Sequence, residues 1–273
     1  MRARTIALLA LAIPVLAGLL YLCRFGAPTS YLAINAGALA IGTLPILWSP
    51  ALGIRLRRGM TLVFLAALFV PLATGPEILG IARWLPLGPV QLHVGTLVVP
   101  ALAVLAARDE DYAPSILATA LLAASLQPDM ATGLALMLAG VGFYEADRDW
   151  KYGVFIIVAF FASMVMAIHG ELAALPFVER VLHSLLFEAP LTALGLLVTL
   201  LACFFLILHA LPADPLTRRA LAGTLFGFSL AAILSNYPSI LIGHGAAPII
   251  GFGLALGLGC ARGDEKFGPA TSH

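Results

Sequence analysis

Ten apolar runs divided by short polar turns decide what this chain can become. They cover residues 6–23, 31–48, 60–74, 90–107, 115–126, 131–144, 152–168, 191–208, 220–235 and 240–259. Most approach the roughly 20 apolar residues that a helix needs to cross a bilayer. Lipid satisfies no backbone polar group, so an open chain crosses it only as helices. Hydrophobic residues make up 61% of the 273 and charged residues 11%, with a mean hydropathy of +1.02, more than a soluble core requires. The expected class is all-α, a polytopic integral membrane helical bundle of about ten transmembrane helices. The fifth and sixth runs are short and divided only by Gln127-Pro128-Asp129, so they read as two spans or as one interrupted pair.

Charge sets the orientation. With the N-terminus placed inside, the inner segments hold Arg2, Arg4, Arg55, Arg57, Arg58, Arg108, Arg148, Lys151, Arg218, Arg219, Arg262 and Lys266, while the outer ones keep only Arg24, Arg83 and Arg180. Basic residues in short loops stay cytoplasmic, so both termini are expected inside, in a bacterial inner membrane once the resemblance below is considered. The first run reads as a span rather than a cleaved leader, because no small-x-small site follows it. The near-neutral net charge of +1 argues against nucleic acid. Cys23, Cys203 and Cys260 fall at different depths, too far apart for the ~6 Å that a disulfide bridges. Residues 1–260 read as one transmembrane domain and 261–273 as a short disordered cytoplasmic tail.

The polar residues that survive this filter each carry a bland and a functional reading. Asp129 is either a helix cap or a carboxylate lining a polar cavity. Arg83, Trp84 and Gln91 precede the fourth span, where Trp and a snorkelling Arg are ordinary interface anchors. Residues 169–188 form the densest outer cluster: His169, Glu171, Glu179, Arg180, His183, Ser184 and Glu188. Glu179 and His183 stand at i and i+4, which shares one helical face and suits acid–base chemistry, cation binding or a solvated amphipathic helix. That spacing lacks the second His of a zinc helix, so no metal is expected. His244, between Gly243 and Gly245, reads as a hydrogen-bonded intramembrane histidine or as part of a site.

In order, these segments resemble the SEDS family of FtsW, RodA and SpoVE, the shape, elongation, division and sporulation proteins. Arg83-Trp84-Leu85-Pro86-Leu87-Gly88 is similar to its RW-x-x-x-G segment, and Gln127 to Thr132 to its QPDLGT segment. Tyr237-Pro238 with Leu241-Ile242-Gly243-His244-Gly245 is similar to the P-x-P-L-I-S-Y-G-G-S segment before its last span. The resemblance implies a cell-envelope protein of peptidoglycan synthesis, cell division or cell shape. Its partners would be membrane lipid, a polyprenyl-linked glycan and a single-span penicillin-binding protein.

Three departures bear on activity. The family's long outer loop between the seventh and eighth spans shrinks here to residues 169–189. Matching His183-Ser184 to the family's PEAH-T/S-D motif puts Leu185 where its catalytic aspartate stands. QPSE is replaced by His93-Val94-Gly95-Thr96. Glu179 is then the substitute carboxylate and the candidate catalytic residue, with Arg83, Trp84, Gln91, Asp129, Arg180, His183 and His244 as candidate substrate-binding residues. No cofactor is expected, although a divalent cation would suit a departing pyrophosphate. The favoured reading is a catalytically reduced relative that keeps a lipid-linked glycan groove. An active glycan polymerase using Glu179 is the alternative, and a transporter or flippase of an amphiphile is a third.

Overall fold

The computed structural model describes residues 2–49, 51–88 and 90–261, so most of the expected tail lies outside the described residues. Helices α1 (Arg2–Arg24), α2 (Thr29–Trp48) and α3 (Ile54–Thr74) lead into a hairpin of β1 (Trp84–Leu87) and β2 (Val90–His93). Then follow α4 (Val94–Ala107), α5 (Ala113–Leu126), α6 (Met130–Asp147), α7 (Trp150–His169), the short α8 (Val181–Glu188), α9 (Pro190–Phe205), α10 (Pro215–Leu234) and α11 (Ala246–Cys260). A π-helical turn, Leu206–Ala210, extends α9. The protein is a polytopic helical membrane protein. Five helices (α1, α2, α3, α7 and α9 with its extension) are long and apolar enough to cross a membrane.

The remaining helices include three that are too short to do so alone. α4, α5 and α11 have 14, 14 and 15 residues, about 21 to 23 Å at helical rise against a hydrocarbon thickness of ~30 Å. Irregular chain completes each at the outer end: the β hairpin before α4, the Gln127-Pro128-Asp129 turn after α5, and residues 235–245 before α11. Non-helical backbone at that depth survives only where protein buries it or water reaches it.

Two expected boundaries move for this reason. Residues 90–93 pair antiparallel with β1, from Trp84 opposite His93 to Leu87 opposite Val90, and α4 starts only at Val94 because the His93 ring accepts the Thr96 N–H. The last helix starts at Ala246, because the backbone N–H groups of Gly243 and His244 are bonded to Ser239 and Phe177. The fifth and sixth runs are two separate helices, α5 and α6.

α4 and α11 are buried nearly all round and form the centre; α4 exposes only Leu97 to any degree. α11 packs on α2 and α4, and α6 on α10 and α7. Small residues permit these approaches: a Cβ on Gly253 would strike the backbone of Gly42, and one on Gly227 the backbone of Ala135. At the inner end Arg57, Arg58, Arg108 and Arg219 meet Asp109, Asp147 and Asp214 around a basin of about 1170 Å³. Arg58 Nε bonds Asp109 Oδ2 at 2.7 Å, and Arg108 Nη2 donates to the Gly259 carbonyl at 2.9 Å. Arg24, Arg83 and Arg180 sit at helix ends and loops on the opposite side.

Candidate functional site

The three irregular outer segments converge on one buried polar centre. Asp129, 1% exposed, is the N-cap of α6: its Oδ1 accepts the Thr132 N–H at 3.2 Å and its Oδ2 the Thr132 hydroxyl at 2.5 Å. The cap reading therefore holds, but the carboxylate does more than cap. His93 Nε2 lies 3.4 Å from Asp129 Oδ2. Because Nδ1 accepts the Thr96 N–H at 3.3 Å, the network assigns the ring proton to Nε2, facing the carboxylate. Two helix N-termini, those of α4 and α6, thus point at one anion, where their dipoles stabilise it.

Arg83 is the buried cation of this centre. It is 1% exposed, its Nη1 donates to the Tyr237 hydroxyl at 2.9 Å, and its guanidinium lies 4.7 Å from the Tyr237 ring centre and 4.8 Å from that of Trp84. Tyr237 also accepts the Met130 N–H at 3.0 Å, so one hydroxyl ties Arg83 to the first turn of α6. A buried charge needs such partners, and the flanking rings add attraction of about 0.5 to 2 kcal/mol each. Arg83 Nε and His93 Nε2 remain buried without a hydrogen-bond partner in the structure. Gln127 donates to the Leu68 carbonyl, fixing the turn against α3.

Outside this centre, residues 170–180 are stitched to residues 235–245. Ser239 N–H bonds the Val178 carbonyl at 2.8 Å, Ser239 Oγ accepts the Val181 N–H at 3.0 Å, and His244 N–H bonds the Phe177 carbonyl at 2.7 Å. His244 itself turns toward α2, stacked on Tyr31 with centroids 3.8 Å apart and with Nδ1 3.2 Å from Asn35 Oδ1. Asn35, fully buried, donates to the Gly243 carbonyl and accepts the Gly245 N–H.

Glu179, Arg180 and His183 line a separate outer cavity of about 470 Å³, walled by Tyr21, Phe25 and Phe177. Glu179 Oε2 accepts the Leu175 N–H at 2.9 Å. Burial nevertheless pushes its carboxyl above the ordinary 4.5, against the opposing pull of that bond and of Arg83. Arg180 takes a left-handed backbone conformation that starts α8, and His183 is exposed beside Phe187. Leu185 is 1% exposed and faces the same cavity.

The predicted residues thus divide. Arg83, Trp84 and Asp129 share the buried centre; Glu179, Arg180 and His183 share the outer cavity; His244 braces α2; Gln91 is exposed on β2. Sequence reasoning missed His93, Thr132, Tyr237 and Asn35 as site residues. Asn35 carried a legible signal, a lone amide inside an apolar run. Among the described residues no group of three or more His, Cys, Asp or Glu is placed to hold a metal.

No family model and no curated protein matches the sequence. The fold is similar to that of the rod shape determining protein RodA from Thermus thermophilus, at 20% identity over 93% of this chain and 94% of that one, with a TM-score of 0.67. An aspartate-to-alanine variant of that protein matches at 21% identity over 93% and 95%, with a TM-score of 0.68. A chain from a peptidoglycan synthase complex that coordinates polymerization and crosslinking matches at 20% identity over 92% and 96%, with a TM-score of 0.58. The chain has the RodA fold.

Proposed function

We propose that this protein, built on the RodA fold, is a cell-envelope protein of a bacterial inner membrane that holds a lipid-linked glycan at its outer cavity without polymerising it. The observation that carries the reading is Leu185. When His183-Ser184 is matched to the family's PEAH-T/S-D motif, Leu185 falls where the aspartate stands, and it packs, 1% exposed, into the wall of that cavity. Glycosyl transfer needs a base for the acceptor hydroxyl and a cation for the departing pyrophosphate. A leucine supplies no base. The one partly buried carboxylate at the cavity, Glu179, already accepts a backbone bond from Leu175.

The cavity retains what binding requires. Tyr21, Phe25 and Phe177 give apolar walls on which sugar rings can stack, while Arg180 and His183 give polar contacts. The structural neighbour from a peptidoglycan synthase complex that coordinates polymerization and crosslinking supports a crosslinking partner, for which the family resemblance suggests a penicillin-binding protein.

The test uses the purified protein, alone and with any co-encoded transpeptidase, and lipid-linked disaccharide. The expected result is saturable binding with no polymer above background. One observation favours the alternative, an active polymerase: the carboxyl of Glu179 is raised toward the range useful to a general base. Polymer that disappears in Glu179→Gln overturns the reduced reading and makes Glu179 catalytic.

A further inference from the structure

The described chain ends at Ala261, on the wall of the inner basin. One corner of that basin is basic. Arg57 and Arg108 lie close enough to repel, and the charges of Arg108 and Arg4 both reach Cys260, the residue before this exit. Asp214, the carboxylate that acts on Arg108, already caps α10, accepting the Thr217 N–H at 2.7 Å and the Thr217 hydroxyl at 2.6 Å. Arg57 is half-buried, its Nε has no hydrogen-bond partner, and it joins no ion pair among the described residues.

A second corner is acidic. Glu110 and Asp147 both act on the Tyr152 hydroxyl. Neither is paired with a cation among the described residues, since Arg58 bonds Asp109 and Asp111 and Lys151 sits 3.7 Å from Asp149. The lining also carries apolar surface, from Ile54, Pro212, Pro215 and Leu216.

We propose that residues 262–267 fold back into this basin, with Asp264 and Glu265 on Arg57 and Arg108, Lys266 on Glu110 and Asp147, and the Phe267 ring on the apolar lining. Arg262 stays in water at the rim. The segment is neutral, two cations against two anions, so the match lies in the order of its charges rather than in their sum. Asp264 and Glu265 follow Ala261 by three and four positions, a reach of up to ~10 to 14 Å, and Lys266 has up to ~17 Å. Leaving Ala261, the chain therefore meets the basic corner with its carboxylates and the acidic one with its lysine, and Gly263 gives it freedom to reverse. Exposed ion pairs are individually weak, but a tethered segment needs little affinity because its local concentration is high. Docked, it joins the inner ends of α3, α4, α6 and α10 and shuts the basin from the cytoplasm, independently of what the outer cavity binds.

The experiment is electron paramagnetic resonance of the full chain in phosphatidylcholine nanodiscs, with a nitroxide on Gly268→Cys. Cys23 and Cys260 are replaced by serine, and Cys203, 1% exposed, is closed to the label. The unaltered tail should show an immobile spectral component. Glu265→Lys combined with Lys266→Glu keeps composition and net charge but exchanges the order, and should abolish that component. Asp264→Lys should also abolish it, and adding Arg57→Glu, at a side chain that bonds nothing else, should restore it. A label that is mobile in the unaltered tail overturns the proposal, as does failure of Arg57→Glu to restore order. An immobile component that survives the Glu265/Lys266 exchange places the tail on the lipid surface instead, and overturns it equally.

Discussion

Removing the Asp129 carboxylate tests whether it is more than a cap, and His93 supplies the control. In Asp129→Ala the Thr132 N–H loses its acceptor, which for a cap costs about 0.5 to 2 kcal/mol. The His93 Nε2–H, 3.4 Å from Oδ2 though without a hydrogen bond of full geometry, then loses the carboxylate it faces, a further ~1 to 3 kcal/mol. A total of about 1.5 to 5 kcal/mol follows. In a His93→Leu background the second cost is absent, so the double variant should be more stable than additivity allows by about 1 to 2 kcal/mol. That is high for hydrogen-bond cycles within membranes, which average ~0.6 with a maximum of ~1.7, because one partner is charged. The assay is unfolding in mixed micelles, followed by circular dichroism for the wild type, both single variants and the double. A coupling under ~0.5 kcal/mol would mean that the 3.4 Å approach is mere proximity. Asp129→Asn adds a second arm. Asn caps well, so it is nearly neutral if capping is all, whereas an amide N–H against the His93 N–H costs ~1 to 3 kcal/mol.

Arg83→Lys should lower stability by about 1 to 3 kcal/mol in the same assay, because an ammonium cannot both bond Tyr237 and lie flat between two rings; Tyr237→Phe should cost a similar amount by orphaning Arg83 Nη1 and the Met130 N–H. Glu179, whose folded carboxyl is raised above 4.5, binds more protons folded than unfolded in that window, so its contribution to stability falls as pH rises from 4.5 through the raised value. Glu179→Gln should remove that slope from a melting-temperature profile between about pH 4 and 7, and an unchanged slope refutes the assignment. Reporter fusions after Leu79, His183 and Ser235 should read external and those after Arg58, Asp149 and Arg218 cytoplasmic; any reversal dissolves the outer site.

Hydropathy made the spans legible because a bilayer imposes one chemistry on every stretch that enters it. It failed where chain at membrane depth is not helical. Residues 90–93 and 240–245 carry enough apolar side chains to be counted into the runs they open, yet the former pair in a hairpin and the latter bond to residues 177 and 239. Nothing local distinguishes these states; only contacts distant in sequence do. Asp129 and Arg83 stood out because charge is rare in such a chain. His93 did not, since its significance lies in facing Asp129 across two helix ends. Tyr237 was visible only within a resemblance, because a tyrosine near an interface is ordinary.

The polar centre also has a chronology. Arg83 and its acceptor Tyr237 are 154 positions apart, Met130 and Tyr237 are 107 apart, and Asn35 and Gly243 are 208 apart. A ribosome delivers Arg83 and the first turn of α6 to the membrane long before the chain that receives them exists. Until residues 235–245 emerge, the nascent bundle holds a guanidinium that lacks its Tyr237 acceptor, and lipid alone solvates it poorly. The C-terminal segment is thus the keystone that closes the centre, since Tyr237 bonds both Arg83 and the Met130 N–H. A chain truncated before Asn236 forfeits more than its last helix: it leaves Arg83 and the Met130 N–H without their Tyr237 partner.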